Sequence, residues 1–115
     1  MKDEYVIALT TLPADDRAPG IARTLVEERL AACVNILPAM TSVYRWKDAV
    51  EQDPEHQLVM KTTRARIPAL WKRLRELHPY DVPEFIVVPV IDGHEAYLTW
   101  IGESTAAAPA TGESR

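Results

Sequence analysis

The sequence predicts an α+β domain of ferredoxin-like topology, in the order strand, helix, strand, strand, helix, strand, with a short helix at the end. Three observations carry this. Runs rich in apolar and β-branched residues, YVIALTT (5–11), CVNIL (33–37) and FIVVPVI (85–91), read as strands. Two intervening stretches repeat their apolar residues at three- and four-residue steps, the spacing of one helix face. Right-handed crossovers then put the strands in one antiparallel sheet with both helices on the same side.

Each element follows from its residues. The near-continuous apolar run of YVIALTT predicts a strand buried on both faces, ended by the turn-prone LPADD. Asp15 or Asp16 is placed to cap a first helix whose opening turn tolerates Pro19, because the amide that proline lacks is unpaired there. Ile21, Ala22, Leu25, Val26 and Leu30 form its apolar stripe, opposite Arg23, Glu27, Glu28 and Arg29. CVNIL, a break at Pro38, and TSVYRW (41–46) then read as extended chain. The polar KDAVEQDPE (47–55) carries Asp53-Pro54 as a turn signal before HQLVMKTT (56–63) resumes as a strand, so the whole predicts a long hairpin. Thr62 or Thr63 is the expected N-cap of a second helix striped by Ile67, Leu70, Trp71, Leu74 and Leu77, with Pro68 requiring a late start. Pro79 and Pro83 forbid that helix to continue through HPYDVPE (78–84) and favour extended backbone before each. Pro89 marks the last strand as an edge or a bulge. EAYLTWI (95–101) is a short helix or an irregular segment. The ordered domain is expected over 1–102, with 103–115, poor in large apolar side chains, as a disordered tail.

Composition narrows the function. A 115-residue chain builds one core, not two. The net charge of −4 disfavours nucleic acid, and the cluster Arg64, Arg66, Lys72, Arg73 and Arg75 reads as one solvated helix face. No run is long enough to cross a membrane, and MKDEYV places acids where a secretory signal needs an apolar stretch, so a cytoplasmic location is expected. Cys33 is the single cysteine, which excludes an intrachain disulfide and zinc-finger spacing; the expectation for it is a packed small residue. A sheet with helices on one face leaves its other face bare. Ile, Val, Leu and Trp side chains there predict a symmetric homo-oligomer.

AACVNILP (31–38), SVYRW (42–46), the acidic hairpin ending in Glu55, KTT (61–63), HPYDVPE and YLTWI (97–101) occur in that order between Tyr5 and Ile101. Together they resemble the CutA family of divalent-cation tolerance proteins. The resemblance implies a ferredoxin-like protomer in a tight homotrimer, with long hairpins extending each sheet into its neighbour. It also implies a role tied to copper and other divalent cations, with no established reaction. No cofactor is obligatory on this reading, and Cu(II) or another divalent cation is the candidate ligand. A copper site proposed for some members takes a thiolate from the end of the first strand. Thr10 stands at that position here, which would make any site one of nitrogen and oxygen donors.

Two constellations stand out. His78 is the leading metal ligand, because a neutral imidazole suits Cu(II), Zn(II) and Ni(II), and Glu84 can add an oxygen if the loop folds back. Against this, His78 is equally suited to donate to carbonyls at the helix end. Trp46, Lys61, Tyr80 and Trp100 form the second set. If they meet at a subunit boundary, aromatic walls and one ammonium suit a small anionic ligand; otherwise the tryptophans are interface anchors. His56 and His94 sit in polar, turn-like surroundings. Three functions follow: a non-enzymatic cation-linked trimer, a trimeric signalling module akin to nitrogen-regulatory proteins that binds an anionic metabolite, and an enzyme using His78 or Glu84 as base beside Lys61. Scattered glycines offer no phosphate loop, and no nucleophile is paired with a base, so the first reading leads.

Overall fold

In the computed structural model, which describes residues 4–107, the strands are β1 (Tyr5–Pro13), β2 (Cys33–Ile36), β3 (Met40–Trp46), β4 (Ala49–Thr63) and β5 (Ile86–Pro89). The helices are α1 (Ala18–Glu27), α2 (Ile67–Leu77) and α3 (Glu95–Ser104). All pairings are antiparallel, in the order β2-β4-β1-β5, with β3 paired to the outer half of β4. This is the expected ferredoxin-like order.

The core lies between the sheet and the α1/α2 layer. Ala8 and Leu12 of β1 and Leu58 and Met60 of β4 meet Ile21 and Leu25 of α1 and Leu70 and Leu74 of α2. Trp71 stacks on Phe85 at 4.7 Å, closing the α2 side. Leu58, Met60 and Thr62, the inner even-numbered positions of β4, are thus buried, and strand alternation turns Glu55, Gln57, Val59 and Lys61 to the opposite face.

Several local expectations needed revision. The hairpin does not turn at Asp53-Pro54. It turns at Lys47 and Asp48, whose φ values of 50° and 69° form the left-handed pair that suits the twist of the strands. Pro54 lies inside β4 opposite Thr41. A strand residue's N–H and C=O point to the same neighbour, and the Pro54 carbonyl accepts from the Ala14 amide. The missing amide therefore faces the end of β1 and costs no bond to β3. Neither Asp15 nor Asp16 is the N-cap of α1; Asp15 instead accepts the Arg17 backbone amide one step earlier. Neither Thr62 nor Thr63 caps α2, because a 3-10 turn at Arg64–Arg66 intervenes and lets Pro68 fall in the first turn, while the Thr62 hydroxyl donates to the Leu30 carbonyl. Cys33 is half-buried, opening β2 opposite Lys61.

β5 is an edge strand, as Pro89 requires. EAYLTWI is helical, and α3 continues to Ser104 with Thr105 buried behind it, so ordered chain passes the expected boundary at 102. The rest of the expected tail, 108–115, lies outside the described residues. α3 packs on the sheet face opposite α1 and α2, against β4 and β1, and covers only part of it. On the β5 side Ile86 and Val88 stay exposed, at 52% and 42%.

At ~3.3 Å per residue, fifteen-residue β4 spans about 50 Å, which is the longest dimension of the molecule. Its outer half and β3 stand away from the body, with Val43 and Val50 at 63% and 67% exposure.

Thr10 points into the core. Its side chain is wholly buried, and its hydroxyl has no hydrogen-bond partner among the described residues. An unpaired buried hydroxyl costs ~1–3 kcal/mol. Thr10→Val keeps the shape and removes the polar atom, so it should stabilise the fold by about 1 kcal/mol. Urea unfolding checks this: the midpoint rises while the slope is unchanged.

Candidate functional site

HPYDVPE leaves the end of α2 and is tied down along its length. Pro79 forces His78 out of helical geometry, to φ −82° and ψ 135°, while its amide still closes the helix on the Leu74 carbonyl at 2.8 Å. The buried His78 ring reaches across to β1, where Nε2–H donates to the Thr11 carbonyl at 2.8 Å. Nδ1 accepts the Tyr80 amide at 3.2 Å. Both nitrogens are thus committed in the neutral ring, and burial holds its pKa below the ordinary value of 6.5, against the opposing pull of the Thr11 carbonyl.

Tyr80 continues the chain of contacts. Its hydroxyl donates to Glu55 Oε2 at 2.7 Å, and burial, with that carboxylate as acceptor, raises its pKa well above the usual phenol range. Gln57, two residues along the same face of β4, donates both to the Thr10 carbonyl at 2.7 Å and to Glu84 Oε2 at 2.9 Å. On the hairpin, the Tyr44 hydroxyl donates to Asp53, which pushes the Tyr44 pKa up to about 12.

Between β3 and this loop lies a cleft of about 750 Å³. Tyr44, Trp46 and Tyr80 supply aromatic wall, and Glu55, Asp81 and Glu84 supply carboxylates. The lining contains no lysine, arginine or histidine. Glu55 is the deepest acid, at 7% exposure.

The residues singled out from sequence distribute as follows. Trp46, Tyr80 and Glu84 line the cleft, while His78 lies beneath it as a structural tie between α2 and β1. Lys61 and Trp100 are elsewhere: the Lys61 ammonium lies 5.8 Å from the Tyr97 ring centroid, and Tyr97 packs on Trp100 at 5.3 Å. Within one chain, the expected aromatic quartet is therefore two separate pairs. His56 Nδ1–H donates to the Leu37 carbonyl at 2.8 Å, and His94 precedes α3. Among the described residues no three His, Cys, Asp or Glu side chains converge as a metal centre. With its one acceptor nitrogen occupied, His78 does not fit as a ligand in this arrangement, and Glu84 brings one uncommitted oxygen. Glu55, Gln57 and Tyr44 were not picked out from sequence. Counting back in twos from Lys61 reaches Gln57 and Glu55, provided β4 is followed through Pro54.

An antiparallel sheet with two helices on one face, a third on the other and a projecting hairpin over an acidic cleft defines a small α+β protein of ferredoxin-like order. The chain belongs to the CutA1 family: the family described as CutA1 divalent ion tolerance protein matches residues 6–104. A divalent-cation tolerance protein CutA of Thermus thermophilus is 48% identical over 99 residues, spanning 86% of this chain and 96% of that one. A solved structure of the Cut A1 protein from the same organism superposes with a TM-score of 0.86 at 47% identity, covering 89% of this chain and 99% of the other. A PII-like protein CutA from Nostoc, in apo form, gives a TM-score of 0.83 at 39% identity, over 90% of this chain and 99% of that one.

The neutral, buried His78 makes a pH prediction. Its folded pKa lies below the unfolded 6.5, so the unfolded chain binds more protons in acid. Any stability tied to this group is complete above pH 6.5 and is lost as pH falls through the folded value. Wild type should lose melting temperature on acidification below that point more steeply than His78→Gln, which has no ring to protonate. Parallel slopes in a calorimetric pH series would contradict the assignment.

Proposed function

We propose that the chain acts without catalysis as a homotrimer that takes up divalent cations at the boundary between copies, Glu84 being one oxygen donor. The observation that carries this reading is the unfinished character of the single chain. Its hairpin exposes Val43 and Val50, its sheet exposes Ile86 and Val88, and its cleft collects carboxylates without a basic side chain. A second copy laid on those surfaces would bury apolar area and could bring further donors to Glu84. The family's character, divalent ion tolerance, supports the cation, and a carboxylate set favours borderline and hard ions over Cu(I). His78 serves this site from behind, by holding Tyr80 and the loop in place. No helix among the described residues is long and apolar enough to cross a membrane, which agrees with the cytoplasmic location proposed here.

A second reading has its own observation. The relative titled PII-like protein CutA and the Lys61 ammonium beside Tyr97 favour a trimeric signalling module that binds a small anion near α3. Thermal-shift screening with organic acids separates the two, since only this reading expects a melting temperature that climbs with anion concentration.

Light scattering at micromolar concentration should give three times the 12.9 kDa chain mass. Titration with Cu(II) should show saturable binding that Glu84→Gln weakens by about tenfold, roughly 1.4 kcal/mol. His78→Gln should retain that binding while melting earlier. A monomer, or equal binding by Glu84→Gln, defeats the proposal.

A further inference from the structure

The cleft between β3 and the 79–84 loop has a composition that a metal ion alone does not explain. Its volume of about 750 Å³ falls within the ~300–1,000 Å³ of small-molecule sites and far exceeds one ion. Glu55 lies at its base with 93% of its surface covered, since only 7% is exposed. A carboxylate so placed ordinarily has a cationic partner. Here its one hydrogen bond among the described residues comes from the neutral Tyr80 hydroxyl, to Oε2. No ion pair reaches it among those residues, and no basic side chain lines the space before it. Aromatic faces of Tyr44, Trp46 and Tyr80 complete the walls.

Aromatic faces and carboxylates together select organic ammonium. An alkylammonium gains from the ring quadrupole and from ion pairing at once, whereas a strongly hydrated metal ion gains little from a ring face. Trp46 already takes such a group: the Lys47 ammonium lies 5.6 Å from its ring centroid. The acids are distributed, Glu55 on β4 and Asp81 and Glu84 on the loop, so a ligand with charges spaced along a flexible chain pairs with more than one. We infer that this cleft is a binding site for aliphatic polyamines. The site shares its cleft and Glu84 with the divalent-cation reading, and Glu55 and Trp46 are the residues that tell the two apart.

Calorimetric titration of the full-length protein with spermidine at low salt tests this. Wild type should bind saturably, with a change in tryptophan fluorescence. Glu55→Gln keeps an acceptor for Tyr80, and Trp46→Leu changes an exposed hairpin position, so both should fold. Each should weaken spermidine by about tenfold. Glu103→Gln removes the same charge from the exposed surface of α3 and should bind as wild type does. Absence of saturable binding by wild type overturns the inference, as does an equal loss in Glu103→Gln, which would mean attraction to net charge alone. Asp81→Asn, in the exposed loop, guards against a folding defect: it should lose affinity with its melting temperature unchanged, and retained affinity counts against the site. Cu(II) titrated in parallel keeps the two proposals apart, since spermidine can fail while Cu(II) binding persists.

Discussion

The structure depends on one strand serving two ladders. The inner half of β4 is sandwiched between β1 and β2, with Leu58 and Met60 in the core, and is therefore held by burial. The outer half is paired only with β3 and buries almost nothing. A two-stranded ribbon on its own is marginal in water, so the body of the domain must act as the anchor from which the hairpin extends. The strand changes environment near Pro54 and Glu55, where β1 ends. The same place becomes the floor of the cleft: a wall of hairpin on one side and the 79–84 loop on the other.

That loop keeps its shape because its polar groups are spent inward. His78 ties the end of α2 to Thr11, Tyr80 ties the loop to Glu55, and Gln57 ties Glu84 to the sheet. Each bond satisfies a buried or half-buried group that would otherwise be costly. The residue that looks most like a metal ligand is thereby the most thoroughly committed to structure. Its ring has one donor and one acceptor, and the protein uses both. Rigidity of this kind fixes where the carboxylates of the cleft stand, which is the contribution a supporting histidine can make without touching a ligand.

What was legible in the sequence follows a physical divide. Apolar periodicity reports burial, so the first strand, the α2 stripe, the late start at Pro68 and the Ile21, Ala22 and Leu25 part of the α1 stripe could be read directly. Val26, by contrast, is exposed, Leu30 lies beyond the end of α1, and the last strand is shorter than 85–91, at Ile86–Pro89. The turn at Lys47-Asp48 could not, because neither residue is the glycine or asparagine that usually announces left-handed backbone; strand pairing imposes the conformation. Asp53-Pro54 read as a turn for a sound local reason, and only the position of β1 beside it shows that the missing amide costs nothing. Trp46, Lys61, Tyr80 and Trp100, expected to meet at a subunit boundary, lie as two separate pairs within one chain for a similar reason. Lys61 and Glu55 share a sheet face but lie at opposite ends of it, one under α3 and the other under the hairpin. Distances along β4 decided which of these side chains keep company.

The electrical character of the cleft follows from the same geometry. Glu55 and Gln57 face the bare side because they alternate with the core residues of β4, and Asp81 and Glu84 are carried there by a loop that must return from α2 to the edge strand β5. The basic side chains on the α2 side have other commitments: Arg73 pairs with Glu28 and Glu76, and Arg75 lies over Trp71. These arginines are thus held against the helical layer, and the carboxylates collect beside the hairpin on the other side, in a concave space with aromatic walls. In such a space the field of several carboxylates is focused rather than dispersed into solvent. A protein of modest net charge therefore concentrates its carboxylates on one concave surface beside the exposed hairpin.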